Sequence, residues 1–240
     1  SVKKIFLGGS TIEPYLVQTM EDAFQCQCLG GYGLTETSPV LTLATPKSYL
    51  ELDEENQYQI KATTGYPIPG VDLKIVDDSN NELPWNGKSI GEIVVRGDMV
   101  MKGYWQRPEE TRQAFKGGWF HTGDMAKIST DGYLLIVDRK KDIIVSGGEN
   151  ISSLELEKTL QIHQSVSECA VIAVPDKRWG EIPKALVVMK PGKHLNEDEL
   201  LDHCRKYLAP FKVPASINFL DSLPRGGTGK VLKQELRKKY

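Results

Sequence analysis

The sequence predicts an α/β start, then a β-barrel-like subdomain, then an α+β C-terminal domain, along a chain of 240 residues. Three observations carry this. Residues from about 1 to 40 follow a strand–helix–strand order, the grammar of a parallel sheet but too short to complete one. From about 41 to 137, short alternating runs are punctuated by Pro and Gly, as in a small antiparallel barrel or distorted sandwich. From 143 to 240, capped helical runs lie between short apolar runs, with the charged bend 138–142 in front of them.

Each element has its own signal. Ile5-Phe6-Leu7 reads as a short buried strand ending at Gly8-Gly9. Ile12, Leu16, Val17, Met20, Ala23 and Phe24 recur at helical spacing. Cys26 to Leu29 reads as a second strand leading into a glycine turn. Val71 to Val76 alternates, as does the run through Ile93, Val94 and Val95, while Asp53-Glu54-Glu55-Asn56 reads as a solvated acidic loop. Turns are expected at Thr130-Asp131-Gly132 and at Gly147-Gly148. Ser152 or Ser153 caps a helix through Leu154, Leu156, Leu160 and Ile162. Asn196 caps another towards Tyr207, with Glu197, Asp198 and Glu199 where the helix dipole favours acids. Val171–Val174, Ala185–Val188 and Ile217–Leu220 read as strands, completing a domain of about 100 residues, a common size.

Composition narrows the function. A net charge of -2 makes no electrostatic case for nucleic acid or an anionic membrane. No apolar run approaches the roughly 20 residues of a membrane helix. The N-terminus has no signal-peptide core and no initiator Met, so the chain is expected to be cut from something longer. Lys238-Lys239-Tyr240 is not a peroxisomal tripeptide. Cys26, Cys28, Cys169 and Cys204 form no zinc pattern and read as reduced thiols of a cytoplasmic protein, with Cys26 and Cys28 on opposite faces of a strand. The four His show no ligand spacing.

Trp119 to Ser152 holds the densest chemistry. Asp124 can accept from a sugar diol, Arg139 is a planar fork for hydroxyls or phosphate, and Gly147-Gly148 allow close approach of a backbone or a thin ligand. Residue by residue, the same stretch reads better as a β-meander with ordinary turns and a solvated basic edge. Tyr32, between Gly31 and Gly33, offers a face for a nucleobase or is simply a turn aromatic. Glu36 is a hard oxygen ligand suited to Mg²⁺ or a helix-start acid. Lys230 lies in a glycine-rich loop that is not a Walker loop, because position 224 is Pro and position 231 is Val.

Taken whole, the Trp119–Ser152 stretch resembles the adenylate-forming (AMP-binding) superfamily: acyl-CoA synthetases, peptide-synthetase adenylation domains and luciferases. Gly30-Gly31-Tyr32-Gly33-Leu34-Thr35-Glu36-Thr37 is similar to that family's adenine and metal motif. Gly91-Glu92-Ile93 and Gly103-Tyr104-Trp105 match its barrel region, and Leu223-Pro224-Arg225-Gly226-Gly227-Thr228-Gly229-Lys230 its lysine loop. The resemblance implies a truncated adenylate-forming fold: 1–137 from the large domain, 138–142 a hinge in which Lys141 matches the family's hinge position, and 143–240 a small mobile domain. It implies catalytic roles for Lys230, Thr35 and Glu36, with Glu36 on Mg²⁺. Nucleotide or CoA contacts would come from Gly31, Tyr32, Gly33, Asp124, Arg139, Gly147 and Gly148.

The implied reaction uses ATP, Mg²⁺ and CoA. A carboxylate attacks the α-phosphate to give an acyl-adenylate; rotation of the small domain then withdraws Lys230, and a thiol releases AMP. Gly147 and Gly148 would leave a channel for pantetheine, Glu181 of Trp179-Gly180-Glu181 would face the partner domain, and Gly30, Gly31 and Leu34 would line part of the acid pocket, the small residues 30 and 31 leaving room for a bulky acyl group. Gly147-Gly148-Glu149-Asn150-Ile151 resembles the fatty- and aryl-acid CoA ligases, although Ser152-Ser153 stands where many relatives have Pro. The family's upstream phosphate loop has no counterpart here, so the chain is expected to be inactive without a missing N-terminal portion. Transfer to an acyl carrier protein, a non-catalytic nucleotide-binding module and an oxygen-dependent luciferase-like activity are the alternatives.

Overall fold

The computed structural model describes residues 2–227 and 229–240. Thr228, within the lysine-loop motif, lies outside the described residues, as does Ser1. The chain forms two compact units, one ending at Ile136 and the other running from Val137 to Tyr240.

The first unit opens with β1 (Lys4–Leu7), α1 (Pro14–Phe24) and β2 (Gln27–Tyr32), and β1 and β2 pair in parallel. Strand β1 was expected to be buried; it is not, because it is an edge strand and Phe6 is 66% exposed. Helix α1 starts on Pro14 and buries only Val17. Cys26 lies in a bend before β2, so strand alternation does not set its direction, and its thiol neighbours that of buried Cys28. The sheet continues antiparallel through β3 (Thr42–Ala44) and, across α2 (Glu54–Lys61), to β4 (Tyr66–Pro67).

Helix α2 replaces the acidic loop expected at 53–56. The Asp53 side chain accepts from Asn56 N at 2.8 Å, and Glu54 and Glu55 occupy the first turn. Acids there meet the positive end of the helix and its unpaired amides.

A second sheet is an open half-barrel of β5 (Asp72–Val76), β6 (Gly91–Arg96), β7 (Phe115–Lys116), β8 (Trp119–Ile128) and β9 (Leu134–Arg139), with α3 (Pro108–Ala114) before β7. Its order is β5-β6-β8-β7, with β9 also on β8. Strand β6 does not alternate: Gly91 through Val95 are all buried, and the strand is paired on both edges, by β5 and β8. Leu41, Ile75, Ile93, Val95, Phe120, Ile128 and Leu134 form the core.

The second unit contains β10 (Ile144–Ser146), β11 (Glu149–Ile151), α4 (Ser153–Ile162), β12 (Val166–Asp176), β13 (Gly180–Met189), α5 (Glu197–Tyr207), β14 (Ser216–Phe219) and α6 (Lys233–Lys239). The order is β11-β10-β13-β12, with β14 parallel to β13. Both expected caps form: Ser152 Oγ accepts from Glu155 N at 3.1 Å, and Asn196 makes a reciprocal capping box with Glu199.

Two-residue periodicity splits β12 and β13 between two cores. Val171, Ala185 and Val187 face Leu156, Leu160 and Leu200. Ala170, Ile172 and Leu186 face Leu223 and Leu236. The sheet is thus covered on both sides, and each fully buried Leu or Ile contributes about 1.5–3 kcal/mol. Gly147 and Gly148 form the expected turn between β10 and β11, with φ of +59° and +90°, as a two-residue hairpin loop requires. Among the described residues, no helix is long and apolar enough to cross a membrane.

Candidate functional site

In the first unit the glycine motif is not a turn. Gly30, Gly31 and Tyr32 lie in β2, opposite Ala44, Leu43 and Thr42. A Cβ on Gly30 would meet Lys61 O at 2.6 Å, and one on Gly31 would lie 3.2 Å from Thr42 O. These two small residues therefore admit the protein's own backbone, which removes the expectation that they leave room for an acid. Gly33 is the strictest position, since a Cβ there would sit 1.5 Å from Pro39 O.

Beyond Gly33 the chain makes a 3-10 turn over Thr35–Thr37. Buried Thr37 holds it: its Oγ1 accepts from Leu34 N at 3.0 Å and donates to Leu34 O at 3.0 Å. Thr35 is left exposed on this turn, and Glu36 is half-buried beside it. Glu36 Oε1 accepts from the Tyr104 hydroxyl at 3.0 Å. Burial, and then the Glu36 carboxylate, push the Tyr104 phenol above its usual pKa, so it stays a proton donor.

Asp124 is placed by an irregularity in β8. Glu92 pairs with Met125 and Val94 with His121, so Thr122, Gly123 and Asp124 oppose Ile93 alone. Gly123 takes a φ of +72°, which favours glycine. Glu92 Oε1 accepts from Gly123 N at 3.1 Å, and Glu92 Oε2 lies 3.1 Å from His121 Nδ1. Thr122 Oγ1 accepts from Asp124 N at 3.1 Å and donates to Ile93 O at 2.9 Å. A bulge of this kind re-aims a side chain. Here it sets Asp124 on the inward face, 4% exposed, where its Oδ2 accepts from the Tyr32 hydroxyl at 2.6 Å. Residues 92 positions apart in sequence are thus brought together.

In the second unit Arg139 ends β9, exposed, and Lys140–Asp142 form a 3-10 turn in which Lys141 is exposed. The carboxylates on either side are buried. Asp138 Oδ2 accepts from Ser153 Oγ at 2.8 Å and from Leu154 N at 3.1 Å, while Oδ1 accepts from Arg139 N at 2.7 Å. Asp142 pairs with Arg237 at 2.5 Å.

The glycine hairpin is asymmetric. A Cβ on Gly147 would meet the Trp179 ring at 2.7 Å, whereas nothing lies within 4 Å of one on Gly148. Only Gly148 is open. Glu181 Oε2 accepts from Val145 N at 3.0 Å, so this carboxylate braces β10 within its own unit. Lys230 is exposed at the end of a tight loop, in which Gly226 N donates to Lys230 O at 2.9 Å and Arg225 reaches both Gly229 O and Glu168.

Tyr104, Glu92, His121 and Thr122 were not singled out from the sequence as site residues. Gly91-Glu92-Ile93 and Gly103-Tyr104-Trp105 stood out as motifs, but partners 31 residues from Glu92 and 68 from Tyr104 leave no local trace. Tertiary contact also joins His163 and His203, rings edge-on with centroids 5.0 Å apart. Among the described residues, no group of three or more His, Cys, Asp or Glu could hold a metal ion.

Two family models match this chain: AMP-binding enzyme over residues 1–105, and AMP-binding enzyme C-terminal domain over residues 155–230. The chain belongs to the AMP-binding enzymes. A feruloyl-CoA synthase from Amycolatopsis sp. is 42% identical over 243 residues, covering 100% of this chain and 47% of the relative. A long-chain-fatty-acid–CoA ligase from Yersinia pestis is 42% identical, covering 96% of this chain and 39% of the relative.

Solved AMP-binding enzymes share the fold. ATP-bound MatB from Rhodopseudomonas palustris superposes with a TM-score of 0.84 at 34% identity, covering 98% of this chain and 45% of that one. The o-succinylbenzoate CoA synthetase from Bacillus subtilis, in complex with its acyl-adenylate, gives 0.85 at 33% identity, covering 98% and 46%. The mixed sheets and half-barrel are those of an adenylate-forming enzyme. The chain spans less than half the length of these AMP-binding relatives.

Proposed function

We propose that this chain supplies nucleotide-binding residues and the catalytic lysine of an ATP-dependent carboxylic acid–CoA ligase. The observation that carries this is the Tyr32–Asp124 pair, a core-facing carboxylate hydrogen-bonded to an aromatic at 2.6 Å. A carboxylate so held can take the hydroxyls of a ribose, and the adjacent ring offers a face to the base. Relatives named as CoA ligases, and one solved with its acyl-adenylate, support the same reading.

In the first half-reaction an oxygen of the acid attacks the α-phosphorus of ATP, and the bond to pyrophosphate breaks. Lys230 offers a mobile point charge to the acid and the α-phosphate, Thr35 a hydroxyl to a phosphate, and Arg139 its fork to ribose or phosphate. In the second, the CoA thiol loses its proton to solvent as its sulfur bonds to the acyl carbon, and AMP leaves with the electron pair of the broken acyl–oxygen bond. Gly148 flanks the thiol's path, and 138–142, with Lys141 as the hinge residue, is the hinge between the two steps.

Glu36 fits Mg²⁺, which usually binds through one or two carboxylates together with substrate phosphates. When bound, Mg²⁺ would neutralise phosphate charge. The acid is a fatty or aryl acid, and the location is cytoplasmic. Some relatives are named as peroxisomal, so imaging of a tagged full-length protein decides between the two compartments.

The test is pyrophosphate release by the full-length protein carrying this chain, with ATP, Mg²⁺ and a panel of fatty and aryl acids, with and without CoA. Release that depends on one acid and is lost in Lys230→Ala is expected, with an acyl-CoA product. Release that survives Lys230→Ala, or nucleotide binding indifferent to Asp124→Ala, overturns the proposal. Product formed only with a carrier protein moves it to carrier loading.

A further inference from the structure

Helix α6 starts three residues after Lys230, and two of its cations reach the two ends of the segment 138–142, Arg237 directly and Lys233 through Ser153. On one side, Lys233 Nζ donates to Ser153 Oγ at 2.8 Å and pairs with Glu157 Oε1 at 2.6 Å. Ser153 Oγ in turn donates to Asp138 Oδ2 at 2.8 Å. On the other side, Arg237 donates to Asp142 Oδ1 at 2.5 Å.

Asp138 and Asp142 bracket Arg139, Lys140 and Lys141, whose side chains carry the exposed charge of the bend. Both ion pairs are largely withdrawn from water: Lys233 and Glu157 side chains are 17% and 13% exposed, Arg237 and Asp142 26% and 11%. Breaking such a pair strands a desolvated charge, so the links resist parting. Glu157 Oε1 also accepts from Val171 N at 2.8 Å, which ties the Lys233 side to β12. The near end of the lysine loop is held separately, by Arg225 on Glu168 and Gly229 O.

We propose that α6 is a strut, and that Lys233 and Arg237 are positioning residues that join the Lys230 loop to the segment 138–142. A torsion change at Lys141 then carries Asp142, Arg237 and Lys230 as one stiff body, while the Ser153–Asp138 bond, whose acceptor precedes Lys141, has to part. The inference rests on Lys230 as the adenylation lysine and on 138–142 as the hinge. It follows that removing the strut misplaces Lys230 in the step that needs it and spares the step that does not.

The experiment uses Arg237→Ala, Arg237→Lys and Lys233→Met in the full-length protein, and reads two half-reactions separately. One is acid-dependent pyrophosphate release; the other is thioester formation from supplied acyl-adenylate and CoA. Arg237→Ala is expected to lower the first by on the order of 10²-fold, the scale of an ångström-size misplacement, and to leave the second nearly unchanged. Arg237→Lys is expected to restore part of the loss. Parallel loss in both half-reactions, tracking Tm, overturns the strut and leaves a stabilising role only.

Hydrogen exchange on the present chain supplies a readout independent of activity. Arg237→Ala is expected to speed exchange at Gly226, Gly229 and Ile143, whose amides donate to Lys230 O, Gly226 O and Arg139 O, ahead of β12 and β13. Uniform acceleration across the second unit, or none, overturns the proposal. Adenylation that persists in Lys230→Ala would instead count against the ligase reading, while the exchange pattern still reports on the strut.

Discussion

Asp138→Ala should be the most damaging single polar substitution in the second unit. Asp138 is 5% exposed, and its two oxygens accept from Arg139 N, Leu154 N, Ser153 Oγ and, at 3.3 Å, Ser152 Oγ. The four donors do not suffer equally. Ser152 Oγ keeps Val137 O at 2.8 Å, and Ser153 Oγ can turn and still accept from Lys233. The amides of Arg139 and Leu154 cannot turn. Each stranded amide costs about 1–3 kcal/mol, so the substitution should cost about 4 kcal/mol. At 1.4 kcal/mol per decade, that is on the order of 10³-fold in the opening equilibrium.

Hydrogen exchange at the β12–β13 ladder, for example around Val171 and Ala185, reads that equilibrium for the second unit, with the β6–β8 amides as internal reference. Asp138→Asn keeps one accepting oxygen and should fall between Asp138→Ala and the parent. Ser152→Ala removes only a cap, worth about 1 kcal/mol. If Asp138→Ala changes exchange by less than about tenfold, below 1.4 kcal/mol, the idea that stranded amides dominate is wrong.

Three other outcomes follow from the geometry. Gly147→Ala must pay for both a φ of +59° and a Cβ 2.7 Å from Trp179, whereas Gly148→Ala meets only the φ of +90°; Gly147→Ala should lower Tm more, and Trp179→Ala should reduce the difference in a double-mutant cycle. Burial, with His203 beside it, lowers the pKa of His163 below 6.5; the unfolded chain then binds more protons in that window, so stability is full above 6.5 and is lost as pH falls through it, a slope that His163→Gln should flatten in denaturant melts. Burial pushes the thiol pKa of Cys204 up to about 11 and raises Cys169 further, so iodoacetamide at pH 8 should label Cys26 in the native chain and reach Cys169 and Cys204 only on unfolding.

Local order was legible in the sequence because its causes are local. Caps at Ser152 and Asn196, the turn at Gly147-Gly148 and the two-residue period of Val171–Val174 each depend on neighbours within a few residues. Asp53 was misread because an acidic cluster looks the same in a solvated loop and in the first turn of a helix; only the bond to Asn56 N separates them. Family membership was legible too, since Tyr32, Asp124, Arg139 and Lys230 stand in recognisable strings.

Only the tertiary structure decided what those residues touch. Burial of Asp124 depends on a bulge braced by Glu92 from the neighbouring strand, and its bond to Tyr32 depends on a different sheet. The crowding that makes Gly30 and Gly33 obligatory comes from Lys61 O and Pro39 O, not from any ligand. The links from α6 to Ser153 and to Asp142 cross 80 and 95 residues. The physical reason is common to all of these: hydrogen bonds and steric limits act through space over about 3 Å, and sequence order records which residues lie within that distance only for near neighbours along the chain.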